Sequence, residues 1–171
     1  MAKKTAYYGI FAAMAIIVGY IEMLFPLPIG IPGVKLGIAN VVVLTALYVM
    51  GGKSAFYISI IRIVISALLF KGFGSFIFSA SGAVLSFIVM YMAIKIRGIS
   101  PIGVSILGGI AHNAGQLIAA GIVISNLKIV YYIPVLLVSG VITGILTGII
   151  VKYVTRHLKT KTGLKPENEN R

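Results

Sequence analysis

Arg62 interrupts the apolar run 54–70 about halfway along it, roughly 12 Å from either end at a helical rise of ~1.5 Å per residue. A guanidinium that deep in hydrocarbon is too far from water to snorkel. It costs at least ~2.5–3.5 kcal/mol unless it meets an anion or a wet cavity. Two partners fit. Glu22 is the only acid within the apolar runs and would form an ion pair. A substrate carboxylate or phosphate would use the same guanidinium as its anchor. The two readings are compatible, since Glu22 can hold Arg62 until a substrate arrives.

A second group lies in the run 101–124, as Ala111-His-Asn-Ala-Gly-Gln116. His112 and Gln116 are four residues apart and Asn113 and Gln116 three, so all three share one broad helix face. Polar side chains near mid-membrane need internal partners, and a cluster of three points to the lining of a cavity more than to interhelical bonding alone. Asn40 lies just inside the boundary of the run 37–50 and is placed to face the same cavity. Lys35, just before it, fits an interfacial anchor better than a ligand contact, though both are open.

Other chemistry is poorly supplied. The chain has no Cys and no Asp, and two of its three Glu, Glu167 and Glu169, stand near the C-terminal end. Thiolate zinc sites, iron–sulfur clusters and disulfides are excluded. One usable His with almost no carboxylate predicts no metal site and no cofactor. Gly51-Gly-Lys-Ser54 imitates the end of a phosphate-binding loop, but Leu47 stands where that pattern needs its first glycine and no strand precedes it. ATP use would belong to another chain, and the expectation is a protein that is not an enzyme.

These side chains are set in elements that water cannot solvate. Of 171 residues 59% are hydrophobic and 11% charged, against roughly a quarter charged in soluble domains, and the mean hydropathy is +1.07. Six apolar segments, at about 5–25, 37–50, 54–70, 75–94, 101–124 and 129–154, predict an all-α integral membrane protein, a six-transmembrane-helix bundle forming one domain over 1–158. The segment 37–50 is short for a span. Lys3 and Lys4 before an apolar run imitate a signal peptide, but the run continues to Phe25 and reads as the first span. Residues 159–171 turn polar and are expected to form a disordered tail.

The loops sharpen this picture. Tight breaks at 51–53, 71–74, 97–101 and 125–128 imply antiparallel neighbours. The longer loop 26–36, with three prolines, forbids regular helix and is a candidate lid. The net charge of +12 would suggest nucleic acid in a soluble protein, but most basic residues lie between or beyond the apolar runs, where headgroups and topology explain them. With both termini cytoplasmic, the inside carries eleven Lys and Arg and the outside three (Lys35, Lys71 and Lys128), which satisfies the positive-inside rule. Gly140, Gly144 and Gly148 form a stripe for close helix packing, read as intramolecular. Gly9 and Ala13 make a looser stripe on the first helix, equally suited to docking another membrane protein.

Several stretches together, GVKLGIAN at 33–40, the arginine in IIRIVISALLF, FSASGAVLS at 78–86 and AHNAGQ at 111–116, resemble one bacterial membrane family, the Gx transporter or heptaprenyl diphosphate synthase component I family. The likeness covers about 5–155. The family is similar to the substrate-capture (S) components of energy-coupling factor (ECF) transporters. That resemblance implies a six-helix protein of the plasma membrane with cytoplasmic termini, which takes up a small polar-headed or anionic molecule of the vitamin or cofactor-precursor class. It also implies docking, through small residues of the first helix, on a transmembrane subunit driven by two ATPases. The Ala-x-x-x-Ala docking pattern stands here as Gly9-x-x-x-Ala13. The older family label implies instead a non-catalytic membrane accessory of a prenyl diphosphate synthase. Prenyl synthases hold Mg²⁺–diphosphate on Asp-rich clusters, which a chain without Asp cannot supply.

Overall fold

The computed structural model describes residues 2–24, 37–124 and 127–162. They form six α-helices: α1 (Ala2–Leu24), α2 (Ile38–Met50), α3 (Gly52–Ser66), α4 (Gly72–Ala93), α5 (Pro101–Ile124) and α6 (Ile133–Thr162). A π-helical segment, Ala67–Lys71, joins α3 to α4, and a 3₁₀ segment, Leu127–Tyr132, precedes α6. Among the described residues there is no strand.

The helices begin and end where local chemistry directs. Pro101 opens α5, where its missing N–H has no intrahelical partner to lose, and the Ser100 hydroxyl accepts the Gly103 N–H at 3.2 Å. Gly51 turns α2 into α3 at φ 85, a left-handed value that favours glycine. The lysine and serine of the phosphate-loop lookalike open α3. There the Ser54 hydroxyl donates to the Met50 carbonyl at 3.0 Å and lies 2.9 Å from the Tyr8 hydroxyl, which ties α1 to α3.

Five helices are long and apolar enough to cross a membrane, and α2 is not one of them. Six full spans were expected; α2, at ~20 Å, falls short of a ~30 Å hydrocarbon layer. Every residue from 41 to 47 is buried. A helix that is apolar all round belongs in a core, and α2 is covered by α1, α3 and α6. Protein replaces lipid around it, so its length need not match the bilayer. At the other end, α6 continues to Thr162, into the stretch expected to be tail.

The remaining helices pair in antiparallel fashion. The Phe56 ring lies 5.5 Å from the Phe87 ring, so α4 runs back along α3. Glycines set the α5–α6 contact. A methyl group on Gly144 would lie 2.5 Å from the Ile106 Cα, and one on Gly109 would lie 2.5 Å from the Gly140 carbonyl oxygen. The stripe read from the sequence thus packs inside the molecule, and a Ser105–Thr147 hydrogen bond of 2.6 Å closes it. By contrast, Gly9 and Ala13 are exposed on α1, and nothing approaches within 4 Å of the place a Gly9 side chain would take.

Candidate functional site

The polar side chains of the bundle converge. A cavity of about 100 Å³ lies among all six helices, and its lining includes Glu22, Asn40, Arg62, His112 and Asn113. These come from α1, α2, α3 and α5, and the register of each helix turns them inward. On α3 the buried residues Ser54, Ile58, Ser59, Arg62 and Ser66 form one face, so Arg62 is carried into the core by the packing of its own helix. It is 9% exposed. It lies within the last two turns of α3, nearer the Ser66 end than the midpoint expected from the sequence, because the helix gives way to the π segment after Ser66.

Glu22 and Arg62 line one cavity but are differently engaged. The Glu22 carboxylate accepts the backbone N–H groups of Gly37 and Ala39, the latter at 3.4 Å. It therefore caps α2, whose first N–H groups have no intrahelical partner and whose N-terminus favours negative charge. Gly37, at φ 70, offers no side chain for that purpose. The Arg62 Nη1 donates to the Asn40 Oδ1 at 3.4 Å, while the Glu22 charge acts on Arg62 through space. Among the described residues this long bond is the hydrogen bond that Arg62 makes, and a guanidinium has five N–H groups to place.

The α5 cluster divides. Asn113 donates through Nδ2 to the Leu136 carbonyl at 2.7 Å and to the Ser139 hydroxyl at 3.1 Å, so its amide fastens α5 to α6 while its side chain borders the cavity. His112 lines the cavity and also packs its ring against Gly82 of α4. Gln116 was expected beside them but does not line it. Its Cγ packs on Gly82, and its Oε1 is buried with no hydrogen-bond partner among the described residues. One further turn along α5 carries it past the cavity. Lys35 and the loop 26–36 lie outside the described residues.

Sequence reasoning missed Ser66, Phe76, Ser79 and Thr143, which also line the cavity. Ser66 follows Arg62 by four residues, and that spacing was a usable signal. Thr143 stands beside the glycine stripe of α6, where packing and not the cavity was the signal. Phe76 and Ser79 carried no such signal. Among the described residues, no three His, Cys, Asp or Glu side chains gather as a metal site would require.

Fold and site together define a helical membrane protein whose described residues enclose a small polar cavity lined by both Arg62 and Glu22. The chain matches the family model described as heptaprenyl diphosphate synthase component I over residues 11–154, and it belongs to that family. No curated protein and no solved structure matches it.

Proposed function

We propose that the protein is a non-catalytic membrane component that captures a small molecule through an anionic group, with Arg62 as the anchor. The observation that supports this is the buried guanidinium beside a cavity, held among the described residues by one long hydrogen bond. A charge in that setting is stabilised when an anion arrives. His112 would orient the ligand through its ring. Asn40 would hold Arg62 in place, and Glu22 would keep the α2 end of the cavity fixed. Gln116 does not line the cavity, and Lys35 lies outside the described residues. In its finer form the protein is the capture component of an ECF-type importer, with a transmembrane subunit and two ATPases as partners and the exposed Gly9–Ala13 face of α1 as the docking surface.

The family description favours a second reading, a membrane accessory of a prenyl diphosphate synthase. The two differ in company. Affinity purification from native membranes should recover a membrane subunit with ATPases under the first reading and a soluble synthase under the second. Recovery of the synthase alone would overturn the importer reading.

A further inference from the structure

The cavity at Arg62 is too small for a whole ligand. Its volume of about 100 Å³ is well below the roughly 300–1,000 Å³ of sites that enclose a small molecule. A cavity of that size suits a head group such as a carboxylate or phosphate better than a whole drug-sized molecule. A molecule that brings an anion to Arg62 must keep the rest of itself elsewhere.

The α4 wall provides the place. Phe76 lines the cavity with Arg62 and His112, and it also begins a second, shallower hollow of about 480 Å³ along α4. Phe76, Ile77, Ala80, Ser81, Val84 and Ile88 line that hollow at helical spacing, over ~18 Å of helix. The short side chains of Ala80 and Ser81, set between Ile77 and Val84, make the face concave. Ile77, Val84 and Ile88 are exposed, so the groove opens on the bilayer side of the helix. Among the described residues Ser81 is the polar side chain that lines the hollow itself, and at the Phe76 end the hollow meets the cavity of Arg62 and His112.

We infer that the ligand is a single-chain amphiphile, with its anionic head on Arg62 and its hydrocarbon chain passing Phe76 into the α4 groove. This rests on the capture reading above and gives its anion a tail. A chain leaving lipid for a groove gains little from hydrophobicity, so close packing selects it, while charge holds the head. A fatty carboxylate and an isoprenoid phosphate share this chemistry.

The test uses the full chain in nanodiscs of zwitterionic lipid, with empty discs as the partition control. Geranyl diphosphate is compared with inorganic diphosphate, and octanoate with acetate, by equilibrium binding. After subtraction of the empty-disc partitioning, the chained member of one pair should bind at least about tenfold more tightly than its chain-free partner, through close packing of its chain along the groove. Which pair shows the effect identifies the source. Ala80→Trp, and the milder Ala80→Leu, should remove about that tenfold from the chained ligand and leave the chain-free anion unchanged. If Ala80→Trp weakens both ligands alike, Ala80→Leu decides. Equal binding of chained and chain-free anions, or full chained binding in both Ala80 variants, would overturn the amphiphile and leave the capture reading standing. If neither class binds the wild type more tightly than Arg62→Gln, both fall.

Discussion

Arg62 and Glu22 both line the cavity, and they do different work. Glu22 spends both carboxylate oxygens on the backbone of α2. Its removal should act on stability: Glu22→Ala is expected to cost about 0.5–2 kcal/mol, the usual loss for a helix cap, as read by thermal unfolding in detergent. Unchanged stability would mean that the cap is dispensable. Among the described residues Arg62 makes one long hydrogen bond, to Asn40, so Arg62→Gln should weaken anion binding by about 1–3 kcal/mol with little change in unfolding temperature. Collapse of the fold in that variant would assign Arg62 to structure. These residues were legible in the sequence because a polar side chain inside an apolar helix must find an internal partner. Which partner was not legible. That Glu22 would cap another helix, and that Asn113 would spend its amide on Leu136 and Ser139, depends on neighbours brought close only by folding.

At the scale of elements, helix positions followed from apolar runs, since the bilayer imposes length and the breaks carry Gly and Pro. The role of α2 did not follow, because hydropathy alone does not separate a short span from a buried hub. Small residues were equally ambiguous, and packing resolves them. Gly144 touches the α5 backbone whereas Gly9 meets open space. Gly144→Leu should therefore destabilise the protein by about 1–3 kcal/mol through overpacking. Gly9→Leu with Ala13→Leu should stay within about 0.5 kcal/mol of wild type, as exposed changes usually do, while abolishing recovery of a membrane partner. Equal loss of stability in both would show that the α1 face is packed after all. A double variant that still recovers its partner would remove α1 as the docking surface.

For the whole molecule, the antiparallel order of the helices and the skewed placement of Lys and Arg give an orientation that fusions can check. Reporters placed after residue 52 or 97 should read cytoplasmic, and those near 72 or 127 external; the inverse pattern would turn the cavity toward the other side of the membrane. The central claim is that one buried arginine holds an anionic ligand in the middle of the bundle. Native mass spectrometry tests it most directly, by comparing wild type and Arg62→Gln released from native membranes under the same conditions. The account predicts a retained anionic small molecule on the wild-type protein and its absence from the variant. The same adduct on both proteins, or on neither, would contradict it.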